Sequence, residues 1–544
     1  MLRHGLVLFF LIVALLAKDE FPLSSYGDVC NIVRKSHSAV YSSFAHSQPS
    51  SKPFLIIATQ PDTGAHDIHL ALQSLGYRGL YLHHLLNDTL PEDLHYFESG
   101  HPFLNRRDEE DGHDEKLIES LDYLFHKYDY VAGSIVPELA PYLLRRFPEA
   151  KVVLSWRNFS EWEEERMHED ERASFPFAPL LLHPKNRAWP LSYRVSTANW
   201  QLYASQYLLL SCLAPTYLLL DYQQHELCNE SNGRWHMFIS NITELMTPPR
   251  SGDSIVQRHK FPACVTTRRH ATLSVSNSSK VWPRQEVPNL IEFIRSSWTQ
   301  VYKLSAPQLS KYFIAGGSEG TTGTRTLTKL LIDMGLSGYH YTKKLSNTSP
   351  LRTFVLNPED EFYFARNGTH HRFLQQVFFE YLKKDFLLDT PAASIAPYLL
   401  YATRPHGKVL LSWRDFETWD RRREASHAAS GVPFSRIIDS ECIGKRCTNK
   451  ALNLKNMRLT ATWQLYAAQA LLVTALSKEV MIMDLFDGSV CEDGGRRGSA
   501  MLESIVNRDR HHNPPLPVFP RCASAEAPDM PPRSASRPKR SGSH

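Results

Sequence analysis

Short runs that are apolar at every position alternate with longer stretches that are apolar on one face only. Lys311–Ala315 reads KYFIA, and after a polar turn Leu327, Leu330, Leu331 and Met334 recur at helical spacing until Gly335 stops the pattern. Ile68, Ala71, Leu72 and Leu75 repeat that spacing nearer the amino terminus. KVVLSW (Lys151–Trp156) and KVLLSW (Lys408–Trp413) are apolar throughout, as strands covered on both faces must be. WQLYAAQALLVTAL, from Trp463, predicts a buried helix, and EVMIMDL, from Glu479, a final strand. Strands alternating with helices predict an α/β fold of three layers, with a mostly parallel sheet and helices on both faces. Ligands in such sheets sit outside the carboxyl ends of the strands.

The pattern occurs twice. Lys52–Leu82 aligns with Lys311–Tyr341 without a gap, placing Gly64 opposite Gly323 and Gly76 opposite Gly335. Ala140–Trp162 aligns with Ala396–Trp419, Trp200 with Trp463, Asp221 with Asp484, and the FPAC ending at Cys264 with the FPRC ending at Cys522. Matching blocks in one order predict two tandem copies of one domain. The expected organisation is a leader over 1–17, an N-terminal segment over 18–50, a first copy over 51–266, a linker over 267–308, a second copy over 309–522 and a disordered tail over 523–544. The tail is rich in Pro, Ser and Ala and lacks the large apolar residues that offset ordering entropy.

The net charge of +4 across 544 residues gives no sign of a nucleic-acid binder. Gly5–Ala17 is too short for an ordinary membrane span and fits the apolar core of a secretory signal cleaved after Ala17; an uncleaved type II anchor is the alternative, and the only route to membrane attachment. Sequons at Asn87, Asn158, Asn229, Asn241, Asn277, Asn347 and Asn367 and an even count of eight cysteines agree with a Golgi-luminal or secreted glycoprotein. No spacing predicts a metal site. The matched cysteines predict disulfides Cys228–Cys264 and Cys491–Cys522, with Cys442–Cys447 as a third candidate.

The candidate chemistry begins at GGSEGTTGTRTL, Gly316–Leu327, where a strand turns into a helix. Backbone N–H groups of such a turn, with the positive end of the helix dipole, can hold an anion. The nucleotide-triphosphatase loop requires a lysine after its last glycine; here Thr324 and Arg325 follow Gly323. The dinucleotide fingerprint is also absent.

The second copy resembles the sulfotransferases that use 3'-phosphoadenosine-5'-phosphosulfate (PAPS). The Gly-Thr turn resembles their 5'-phosphosulfate loop, DTPAASIAPYLL from Asp389 their D-x-P segment, and KVLLSWRDFETW their strand with an Arg-Asp…Trp motif. The resemblance implies a P-loop-type fold, PAPS as co-substrate without a metal, and sulfuryl transfer to a hydroxyl or amine of a luminal acceptor such as a glycan. It implies that Gly320, Thr321, Thr322, Gly323, Thr324 and Arg325 hold the phosphosulfate and that Arg414 and Arg422 meet the 3'-phosphate. The basic residue many members carry inside the loop is either missing here or replaced by Arg325, and Arg422 stands where many carry serine. Asp389 is the first candidate for the base, ahead of His340 and Glu319. In the first copy Pro61 removes a donor, Asp62 brings a carboxylate into the loop, and Asn158 and Glu165 replace Asp415 and Arg422. That copy reads as degenerate, a non-catalytic partner that binds acceptor or braces its neighbour. The alternatives are a catalytically silent binding protein that kept the fold, or another nucleotide-dependent transferase.

Overall fold

The computed structural model describes residues 24–41, 52–60, 63–82, 127–133, 136–162, 196–222, 234–246, 287–302, 309–318, 322–340, 381–416, 418–419, 422, 459–486, 490 and 492–506. The leader at Gly5–Ala17, the tail, Glu319, Gly320, Thr321, Pro61, Asp62 and Glu165 lie outside them. So do the six cysteines of the expected disulfides and the sequons other than Asn158 and Asn241. Among the described residues no helix is long and apolar enough to cross a membrane.

Among the described residues, ten strands form two five-stranded sheets, parallel throughout. The first holds β1 (Leu55–Ile57), β2 (Gly79–Leu82), β3 (Tyr130–Gly133), β4 (Lys151–Trp156) and β5 (Tyr217–Asp221) in the order β2-β3-β1-β4-β5. The second holds β6 (Phe313–Gly316), β7 (Gly338–His340), β8 (Phe386–Leu388), β9 (Gly407–Trp413) and β10 (Val480–Asp484) in the order β7-β8-β6-β9-β10, so the two sheets share one strand order. The first strand of each is central: β1 registers Leu55 against Tyr130 and Lys151, and β6 registers Ile314 against Phe386 and Lys408. The expected α/β architecture is present, and its strands are apolar because β1, β3, β6 and β8 are buried at every position.

Helices cover the sheets. α1 spans Tyr26–Val40, α2 Ala65–Ser74, α3 Val136–Arg146, α4 Ser196–Leu213 and α5 Arg234–Glu244. α6 spans Val287–Tyr302, α7 Thr324–Asp333, α8 Thr390–Ala402, α9 Leu459–Leu476 and α10 Glu492–Ile505. The outer face of each sheet has its own apolar cluster, Ile68, Leu72 and Ile242 in one and Leu327, Leu331 and Leu502 in the other. The inner faces share a single core in which α4 packs on α9. Both helices are buried around nearly their whole circumference because neighbours enclose them, with Trp200, Tyr207, Trp463 and Leu471 fully buried. Full burial of one such side chain contributes roughly 1.5–3 kcal/mol.

The segments expected as N-terminal extension and linker supply α1 and α6, and both belong to this core. α1 meets α4 of its own copy through the Cys30–Cys212 disulfide, with Cα atoms 5.6 Å apart, and through Arg34 Nε donating to Cys212 O at 2.6 Å. It meets α9 of the other copy where the Trp463 indole donates to Ser36 Oγ at 2.7 Å and Gln464 Nε2 donates to Tyr41 OH at 3.0 Å. α6 repeats the arrangement in reverse. Arg295 Nε donates to Ala475 O at 2.7 Å in its own copy, while Trp200 donates to Ser297 Oγ and Gln201 to Tyr302 OH, each at 2.8 Å, from the other. Ahead of α1, Ser24 N donates to Val480 O on β10 at 2.7 Å.

Candidate functional site

β6 leads through the Gly-Thr turn into α7, and Gly323 is the residue just before that helix. Its φ of +97° lies in the left-handed region, and an added Cβ would come within 2.4 Å of Leu485 Cδ1. Gly64 before α2 has the same φ, with the Tyr222 ring in the place of Leu485. Glycine is therefore required here by the backbone and by packing, in both sheets. Thr322 is fully buried and its Oγ1 lies 2.6 Å from Ser412 Oγ, so this hydroxyl braces the turn against the end of β9; Thr63 and Ser155 make the matching pair.

Four strand ends converge on this turn. Arg414 follows β9 and is 8 % exposed, with its guanidinium carbon 3.7 Å from the centre of the Phe486 ring, just after β10. Burial first, and the charge of Arg422 second, hold the Arg414 guanidinium below its ordinary value, while Asp415, Asp484 and Tyr466 act in the opposite sense. Arg422 is exposed and close enough to act on Arg414, so two of the expected phosphate-binding cations share one side of the site. Arg325 is exposed on the first turn of α7, where the helix dipole adds to its positive charge.

Asp389, at the end of β8, has a φ of +87°, a strained conformation for a residue with a side chain. Its Oδ2 lies 3.1 Å from His340 Nε2 at the end of β7, and the same nitrogen lies 3.1 Å from Thr324 Oγ1. Burial is the largest influence on His340 and lowers its pKa; the Asp389 charge raises it and Arg325 lowers it again. The ring is thus held neutral near pH 7. The direct pairing of Asp389 with His340, and the contact of His340 with Thr324, have no signature in the sequence, because the three residues come from separated segments.

The first sheet presents other groups at the same edge. Ala65, Tyr81 and Gly133 stand where Thr324, His340 and Asp389 stand in the second. Tyr222 donates to Asp67 Oδ2 at 3.0 Å, and burial raises the Asp67 carboxyl above its usual range. Arg157 is buried beside the Tyr222 ring, 5.8 Å from its centre, and the edge has neither a His–Asp pair nor a second arginine among the described residues.

No curated protein and no solved structure matches this chain. Residues 55–207 match the family model described as a sulfotransferase domain, from the first residue of β1 into α4. The match falls on the first sheet and its helices, not on the second. It spans the strand, turn and Trp-Arg block on which the fold is built, including Tyr207, whose hydroxyl accepts from Gln60 N at 2.9 Å and donates to Ser155 O at 2.7 Å. Residues 55–207 are thus similar to a sulfotransferase domain, and the likeness covers the first sheet and its helices.

Proposed function

We propose that the chain is a PAPS-dependent sulfotransferase whose donor site is the carboxyl edge of the second sheet. The observation that carries this reading is the convergence there of Arg414, Arg422, Arg325 and a His340–Asp389 pair around the Gly323 turn. The first sheet has the fold without that set.

The residues present fit the donor. Arg414 and Arg422 would hold its 3'-phosphate, and Arg325 with the backbone of Gly323 and Thr324 its 5'-phosphosulfate. Bound PAPS supplies the sulfuryl group. His340 donates its Nε2–H to Asp389, which leaves Nδ1 as the basic nitrogen for the proton of an acceptor hydroxyl or amine. Asp389 orients the ring and stabilises it once it is charged. The cations provide fixed positive charge where negative charge develops on the departing phosphate.

The acceptor we propose is a luminal glycan, with the protein in the Golgi lumen or secreted. The Gly5–Ala17 run and the Cys30–Cys212 disulfide support an oxidising compartment. The two copies are read as a duplication in which the first braces the second. A silent binding protein is the second reading, favoured by the Phe486 ring lying over Arg414.

The deciding experiment incubates purified protein with radiolabelled PAPS and a panel of glycan acceptors. Adenosine 3',5'-bisphosphate is tested in parallel as a thermal stabiliser. Stabilisation with label transfer supports the enzyme, stabilisation alone supports the silent binder, and neither rejects the donor site.

A further inference from the structure

At the opposite, amino edge of the second sheet lies a cavity of about 290 Å³. Its floor is apolar, made by Trp298, Leu400 and Leu476, all buried. Three cations surround it: Arg295, Arg404 and Lys478. No acidic side chain lines it among the described residues. Glu292 acts on Arg295 from the preceding turn of α6, and the Glu479 carboxylate is engaged by Lys408.

The cations are set in place by the fold. The Arg404 guanidinium carbon lies 3.9 Å from the centre of the Tyr401 ring and 5.3 Å from that of Trp298, and Nη1 donates to Thr299 Oγ1 at 3.2 Å. Such stacking fixes the plane of the guanidinium before any ligand arrives.

α8 and α9 both end here, and cations favour helix carboxyl ends. That alone does not account for this site, because the first copy carries its helix-end arginines, Arg145 and Arg146, at the positions of Tyr401 and Ala402 and has none at that of Arg404. Arg34 repeats the Arg295 contact, donating to Cys212 O. Phe147, which bonds Leu143 O as Thr403 bonds Leu399 O, is fully buried and stacked on Phe54 at 4.6 Å, and Pro148 follows it directly where the second copy has Arg404 and Pro405. Where the second has Lys478, the first has Pro215. The fold is thus completed without Arg404, Lys478 or the opening between them.

We propose that this cavity binds a small organic oxyanion, one sulfate, sulfonate or carboxylate group on a ring body that stacks along Trp298, with Arg404 and Lys478 gripping the charged group. It is distinct from the donor site: the seven residues of β9 run from Gly407 at the cavity to Trp413 beside Arg414, roughly 20 Å.

The test uses 2-naphthalenesulfonate as probe, 2-naphthalenemethanol as its uncharged counterpart and inorganic sulfate as the bare ion, titrated calorimetrically into the full chain. The sulfonate is expected to bind at least tenfold more tightly than either control, with adenosine 3',5'-bisphosphate failing to displace it. Lys478→Glu is expected to weaken it at least fivefold and Arg404→Leu at least tenfold, each leaving adenosine 3',5'-bisphosphate binding unchanged. If Arg404→Leu does not fold, Lys478→Glu decides alone, since Lys478 is exposed. Equal binding of sulfonate and alcohol, displacement by the nucleotide, or a Lys478→Glu protein that binds as the wild type does would each overturn the proposal.

Discussion

The indole of Trp463 donates its N–H to the hydroxyl of Ser36, a residue 427 positions earlier and in the helix that precedes the other copy. Trp200 and Ser297 make the reciprocal bond at 2.8 Å. Each sheet's helices are completed by the helix that introduces the other, so the two share one apolar core.

The first prediction concerns that exchange. Ser36→Ala leaves the buried Trp463 N–H without its acceptor and is expected to cost about 1–3 kcal/mol, with Ser297→Ala costing a similar amount. Residues 309–522 expressed alone are expected to show no cooperative thermal transition, because Trp463 and Gln464 lose Ser36 and Tyr41. A sharp melt of that fragment, followed by circular dichroism, would contradict the interlocked core.

Arg414→Ala is expected to weaken adenosine 3',5'-bisphosphate binding by roughly 1.5–3 kcal/mol, the value of hydrogen bonds to a charged group. Arg157→Ala, beside Tyr222 in the first sheet, is expected to leave that affinity nearly unchanged. Calorimetric titration of the two variants checks the assignment of a single donor site; equal losses would reject it.

Arg325→Ala is expected to abolish nucleotide binding while leaving the melting temperature of the ligand-free protein unaltered, since the side chain is exposed. Gly323→Val is expected to unfold the turn whether or not ligand is present, because of its φ of +97° and the nearby Leu485 side chain. A folded Arg325→Ala protein with wild-type affinity would show that the turn serves packing alone.

Asp389→Asn removes the charge that raises the His340 pKa and is expected to lower kcat with little change in nucleotide affinity. The base is active when neutral, so the acidic limb of the rate profile is expected to move to lower pH. A limb that stays in place would separate Asp389 from the proton transfer.

His37 gives a pH dependence of stability. It is buried against Pro141 O, 2.7 Å from Nε2, and desolvation is the chief cause that lowers its pKa to about 4. The unfolded chain binds a proton near the ordinary value of 6.5, so the folded state is favoured above that pH and loses ground as pH falls toward 4. Between pH 7 and 5 the loss is expected to be about 1.5–2 kcal/mol. Urea titrations of wild type and His37→Gln check this, with the variant expected to show the shallower dependence.

What was legible in the sequence is what short-range periodicity encodes. The strand at Phe313, the helix from Thr324 with Leu327, Leu330 and Leu331 inward, and β9 with its following arginine stand where their patterns place them. α1 and α6 are not legible there because the partners that give their polar residues meaning, Trp463 for Ser36 and Trp200 for Ser297, lie far along the chain. The Cys30–Cys212 bridge is hidden for a related reason: matching the two halves pairs only cysteines that recur, and Ile291 and Ala475 occupy the corresponding positions in the second. At the site, the arginines were readable from motifs, whereas the hydrogen bonds of His340 to Asp389 and Thr324 exist only once three strand ends meet.

Protein synthesis gives the exchange of α1 and α6 a temporal meaning. Tyr41 leaves the ribosome 423 residues ahead of Gln464, the side chain that donates to it. At ordinary elongation rates of 5–20 residues per second, that is a wait of roughly 20–85 s. During it the apolar side of α1 can pack on α4, but the surface meant for α9 has nothing to cover it. The first half of this chain therefore emerges with that surface uncovered, and its final packing waits on the translation of the second.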